Sequence, residues 1–119
     1  MNADAVLDRI VAGDEAVAPD IFRLEIQNLL LSAERNGRIT TADVDEALAR
    51  LRDLPIHLDP NPSRFLPGSE SYLARAYDLT TYDAAYLACA EDLGAEIVTA
   101  DGPLADAARD LGLTCTEIF

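Results

Sequence analysis

Apolar positions along the chain change their period several times, and each change marks an element. Ala5, Val6, Leu7, Ile10 and Val11 recur at helical spacing, and Gly13 ends that first helix. Ala16–Ala18 reads as a short strand. Pro19 and Asp20 open a long second helix to about Arg35, with Ile21, Leu24, Leu29 and Leu30 among its apolar positions, and Asn36-Gly37 stops it. Thr40-Thr41-Ala42-Asp43 has the pattern of a capping box and starts a third helix, which ends before Leu54-Pro55. Ile56–Leu58 is a second short strand. A loop follows over Asp59–Gly68, which holds three of the six prolines. A helix is expected over Ser69 to Tyr77. Thr80–Asp83 repeats the capping-box pattern and opens a helix to Leu93, stopped by Gly94. Glu96–Ala100 is a strand, Pro103–Leu111 a short helix and Thr114–Ile118 a final strand. Strands alternating with helices imply an α/β domain with a mostly parallel sheet. At 119 residues the chain is read as one domain, 1–119.

In an open α/β sheet, ligands bind at the carboxyl ends of the strands. Asp101 directly follows the strand EIVTA and so sits on that edge. The helix from Tyr82 to Leu93 runs about 18 Å away from its start, at ~1.5 Å per residue. After Gly94 the strand returns about 16 Å, at ~3.3 Å per residue. The two lengths nearly cancel, so Asp83 and Asp101 are expected at one edge. Glu25 reaches the same edge early in the helix that follows Ala16–Ala18, and Asn28 shares its helical face. Each residue also has a plainer reading: Asp83 as the distal half of a cap, Asp101 as a turn former before Gly102-Pro103, Glu25 and Asn28 as solvated helix positions. Their convergence is what favours a site. Three carboxylates in one cleft repel each other, and a hard divalent cation such as Mg²⁺ or Mn²⁺ relieves that repulsion through oxygen ligands.

Charge narrows the choices further. The formal net charge is −13, with nine arginines and no lysine. A broad nucleic-acid-binding surface is normally basic, so an acidic surface points to solubility, a basic protein partner or bound cations instead. Phosphate-transfer folds that need an active-site lysine beside an aspartate are disfavoured. The single histidine, His57, sits in a strand and is read as structural or surface. Cys89 and Cys115 lack CxxC spacing and read as reduced core thiols. No apolar run is long enough to cross a bilayer, and the N-terminus lacks the pattern of a signal peptide, so a cytoplasmic protein with no membrane role is expected.

The run APDIFRLEIQNLL at 18–30, with TTYDAAYLACAEDLGAEIVTAD at 80–101, resembles the VapC toxins of the PIN-domain family. The likeness extends from about residue 3 to the C-terminus, and the ordered set PD…LExxN, YDAAYLA and IVTAD carries it. The resemblance implies a three-layer α/β/α fold and a Mg²⁺- or Mn²⁺-dependent endoribonuclease of a toxin–antitoxin system. Glu25, Asp83 and Asp101 would then be catalytic metal ligands, with Asn28 and Thr99 in support. It also implies an RNA substrate, a homodimer and a cognate antitoxin, often basic, whose C-terminal segment occupies the groove.

One departure accompanies the match. Members of the family begin with a central apolar strand that ends in an aspartate, the first of four acids. Here the sequence opens in the helix that would follow, and Asp4, only 21 residues before Glu25, reads as a first-turn helix residue. The first strand and first ligand are therefore expected to be missing from these residues, leaving two sheet edges unpaired. An upstream start, a natural remnant or a strand from a partner chain would each account for this. The alternative function is a catalytically impaired PIN-like remnant that acts by binding an antitoxin or by dimerising. A DNA-directed nuclease of the same fold is a third reading.

Overall fold

The structure is a computed structural model that describes residues 3–59 and 68–118. Six helices and four strands follow in the order α1 (Ala3–Val11), β1 (Ala16–Pro19), α2 (Phe22–Arg35), α3 (Thr41–Asp53), β2 (Ile56–Asp59), α4 (Ser69–Tyr77), α5 (Thr81–Leu93), β3 (Ile97–Thr99), α6 (Gly102–Asp110) and β4 (Cys115–Glu117). The class is α/β with short parallel strands. Most of the loop expected over 59–68 lies outside the described residues.

Local chemistry accounts for the element ends. Thr40 accepts a hydrogen bond from the Asp43 amide, and the Asp43 carboxylate accepts one from the Thr40 amide, so the box that opens α3 closes on both sides. Gly94 ends α5 with φ of 62°, a left-handed conformation that costs glycine little. Pro19 differs from expectation: it closes β1, and α2 begins only at Phe22 after a turn at Asp20-Ile21. Proline is tolerated there because its missing N–H falls at a strand end, where the ladder is finishing.

The strands form two separate parallel pairs rather than one sheet. Ala16–Pro19 pairs in register with Ile56–Asp59, and Ile97–Thr99 with Cys115–Glu117. Among the described residues nothing joins β1 to β3. The expected parallel pairing is present in both pairs.

Helix α5 packs against both β1 and β3 and lies between α4 and α6. Its residues Ala84, Leu87, Ala88 and Ala90 are buried, and they join Leu73 and Ala74 of α4, Ile97 of β3, and Leu104, Ala107 and Ala108 of α6 in one core. Small residues dominate, so the helices approach closely and Leu87, fully enclosed, supplies much of the volume. The N-terminal half is different. Helix α2 buries no residue, and Leu24 and Leu29 are 51% and 65% exposed. Core formation is therefore concentrated after residue 68.

One polar network ties the halves together. Arg9 of α1 donates to Asp14 at 2.9 Å and, through both terminal nitrogens, to Glu96 at 2.7 and 3.3 Å. Thr116 of β4 also donates to Glu96. The Arg9 guanidinium, then the Thr116 hydroxyl, hold the Glu96 carboxyl below its usual range against the opposing effect of burial.

Two outcomes follow from this packing. Replacing Leu87 with Ala leaves a cavity among side chains already too small to fill it, and is expected to cost about 2–4 kcal/mol in chemical denaturation. Glu96 has a depressed folded pKa, so its contribution is present above its unfolded value of 4.5 and is lost as pH falls through the folded value. Glu96→Gln is expected to lower Tm by roughly 2–4 °C at neutral pH. The difference from the parent should close as both are titrated into acid, as followed by thermal melts.

Candidate functional site

Two helices that look alike in sequence use their first acid differently. Both α3 and α5 begin T-x-x-D, and in both the threonine accepts from the amide three residues on. Asp43 answers with its carboxylate, and that bond to the Thr40 backbone, then the one to the Thr40 hydroxyl, lowers its pKa. At α5 only half the box forms: the Asp83 amide donates to Thr80 at 3.1 Å. Among the described residues the Asp83 carboxylate is not drawn into the cap, so the helix start leaves a charge available.

That charge and Glu25 both act on one tyrosine. Tyr86, one turn beyond Asp83, donates its hydroxyl to Glu25 at 2.6 Å across 61 residues of chain. Burial first, then the bond to Glu25, push the Tyr86 hydroxyl far above the usual phenol range; the charges of Glu25 and Asp83 add to the shift. The tyrosine is thus a fixed donor that orients Glu25. Tyr86 was not among the residues expected at the site, although its position three after Asp83 places it on the same helical face. Partnership with Glu25 depends on how α2 meets α5, which spacing alone does not reveal.

Asp101 is placed differently. It is the N-cap of α6 and accepts from the Leu104 amide at 3.3 Å, while its own amide donates to the Thr99 hydroxyl at 3.0 Å. Thr99 thereby anchors the backbone turn that carries Asp101. The plainer reading of Asp101 as a local former holds for one carboxylate oxygen. Glu25 follows β1 and Asp101 follows β3, so the interval between the two strand pairs separates them. Asn28 is exposed on α2, three residues beyond Glu25.

The structure brings Glu25 and Asp83 together around Tyr86 and sets Asp101 with Thr99 at the end of β3. All these donors are hard oxygens, which suits Mg²⁺ or Mn²⁺ in kind. Their arrangement does not complete a site: among the described residues no three histidine, cysteine or acidic side chains gather closely enough to hold a metal ion. Of the other candidates, His57 is exposed on β2, Cys89 is buried, Cys115 is partly buried, and neither cysteine is in a disulfide. No helix among the described residues is long and apolar enough to cross a membrane.

Comparison with known proteins finds no family model that matches the chain and no curated protein that matches it significantly.

The different uses of Asp43 and Asp83 lead to a paired expectation. Asp43→Asn should lower Tm at pH 7, and this loss should shrink as pH falls below about 3.8, since a depressed carboxyl stabilises only while ionised. Asp83→Asn should leave Tm nearly unchanged or raise it, because it removes like charge beside Glu25 without touching the cap. Differential scanning calorimetry of the two variants across pH 3–7 checks both.

Proposed function

We propose that this chain is a PIN-like protein of the VapC type, acting in the cytoplasm as a Mg²⁺- or Mn²⁺-dependent endoribonuclease within a toxin–antitoxin pair. The observation that carries the reading is the state of Asp83. A helix start that normally engages its acid in capping leaves this one available, beside a second carboxylate held by Tyr86. The ordered motifs that contain Glu25, Asp83 and Asp101 supply the rest of the support.

Glu25 and Asp83 would hold the cation, and Asp101, set apart by the interval between the strand pairs, would join them as a ligand only where that interval closes. Bound there, the ion would supply a water of lowered pKa and a counter-charge for the scissile phosphate. The protein's own groups have distinct tasks. Tyr86 keeps Glu25 in one orientation as a permanent hydrogen-bond donor. Thr99 fixes the turn that carries Asp101, and the α6 cap sets the direction of its carboxylate. Asn28 adds a neutral amide on the helical face of Glu25.

A second reading has an observation of its own. The exposed leucines of α2, on a helix that buries no residue, favour a binding role in which this face meets an antitoxin or a second copy of the chain. In that reading catalysis is impaired and association is the function. A chain of net charge −13 suits a basic antitoxin in either case.

Cleavage of a structured RNA pool decides between them. The nuclease reading expects cleavage with Mn²⁺ or Mg²⁺ that stops with chelator and falls by ~100-fold or more in Glu25→Gln and Asp101→Asn. Asparagine is used at 101 because it preserves the helix cap. Equal cleavage by the parent and Asp101→Asn would remove the site assignment. Absence of cleavage and of any metal-dependent thermal shift, together with a stable dimer in sedimentation, would establish the binding role instead.

A further inference from the structure

Helix α2 ends on a pair of residues whose chemistry and geometry oppose each other. Asn36 is followed by Gly37, the one Asn-Gly pair in the sequence. Asparagine is among the thermolabile side chains. A following glycine makes it more so, because no Cβ shields the next backbone nitrogen and its dihedrals are free to vary. Both residues are exposed. Among the described residues, no atom beyond the chain neighbours of Gly37 lies within 4 Å of the place a side chain would occupy there. Water reaches the pair freely.

The backbone nevertheless holds the reacting atoms apart. Closing a five-membered ring needs the Gly37 nitrogen swung round to the Cβ side of Asn36. Asn36 instead has φ of −86° and ψ of 4°, which keeps that nitrogen on the helical path. Two bonds fix this state. The Gly37 amide donates to the Glu34 carbonyl at 3.0 Å, and the Arg38 amide to the Ala33 carbonyl at 2.9 Å. With Gly37 at φ of 73°, they are the paired bonds of a Schellman motif. The first also occupies the N–H whose proton must leave before the nitrogen attacks. The lock is local, however, since α2 buries no residue and little packing opposes fraying of its last turn.

We infer that Asn36 is a site of spontaneous deamidation, gated by opening of the turn between α2 and α3. When both bonds open, the Gly37 nitrogen attacks Cγ of Asn36. A new N–Cγ bond forms, the Cγ–NH₂ bond breaks, and ammonia leaves with the proton that the Gly37 amide gave up. Water, the only co-reactant, then opens the succinimide at either carbonyl. One product is aspartate. The other is isoaspartate, whose main chain runs through Cβ and Cγ and is one carbon longer. Neither fits the motif as asparagine does. Aspartate places a full negative charge at the C-terminal end of α2, where the helix dipole is already negative. Isoaspartate shifts the spacing of the Gly37 and Arg38 amides, so the paired bonds to Glu34 and Ala33 cannot both re-form. The modification thus turns a transient opening of α2 into a permanent one. It depends on this turn alone and is independent of the nuclease reading.

The test is incubation of the full chain at mildly alkaline pH, in buffer and in guanidinium, followed by peptide mapping with mass spectrometry. Deamidation is read as the mass gain of exchanging –NH₂ for –OH at residue 36, and isoaspartate by labelling with isoaspartyl methyltransferase. Asn36 is expected to react in both conditions, roughly 10- to 1,000-fold more slowly when folded. That ratio should match the opening of the Gly37 and Arg38 amides measured by hydrogen–deuterium exchange. Ala33→Gly weakens the last turn of α2 without touching the reactive pair. It should speed the folded reaction ~5-fold and leave the denatured rate unchanged. The exchange comparison uses the unaltered chain, so the test stands should that variant misfold. Equal rates in the folded and denatured chain would overturn the inference. So would a folded chain left unmodified over the time its amide exchange predicts, or a folded rate that Ala33→Gly does not move.

Discussion

Helix α5 and the backbone around it impose the constraint on which this fold depends. Among the described residues the two parallel strand pairs lie side by side with no ladder between them, so a sheet ladder does not set their spacing. That task passes to side chains: α5 packs against β1 and β3, and Arg9 joins the starts of both through Asp14 and Glu96. Alanine at 84, 88 and 90 lets α5 sit close to its neighbours, while Leu87 fills the space left between them. Helix packing of this kind is non-directional and tolerant of small shifts, whereas a ladder fixes register residue by residue.

The location of the acids follows from the same constraint. Glu25 and Asp83 are brought together because α2 and α5 meet through Tyr86, a direct hydrogen bond between helices. Asp101 belongs to the other strand pair and takes its position from Thr99 and the α6 cap. Each acid is well held locally. What the described residues lack is a continuous sheet to bring the local arrangements to one point.

Much of the fold was legible in the chain because the punctuation is local. Gly94 and the two T-x-x-D starts act within a turn or two of themselves, and the helices begin and end where those residues predict. The strand over 96–100 whose length would set Asp83 and Asp101 at one edge is shorter in the structure, where β3 spans only Ile97–Thr99. Features that depend on distant partners were not legible. Asp43 and Asp83 have identical local patterns, yet only one closes its cap. Tyr86 and Glu25 are 61 residues apart, and no periodicity encodes how α2 approaches α5. Asp101 shows the opposite case, in which a plain local role as a helix cap coexists with a place in the candidate site.

The uneven core has a further consequence for how this chain moves. Buried side chains are concentrated in α4, α5, β3 and α6, while α2 contributes none and α3 only Val44. Opening free energies within one protein follow such differences, and cooperative units form around the best-packed segments. The segment from α4 to α6 is therefore expected to exchange slowly in hydrogen–deuterium exchange, and β1 with α2 and α3 to open more often. Among the described residues, such a burial gradient makes the surroundings of Leu87 the stiffest part and the outer face of α2 the loosest.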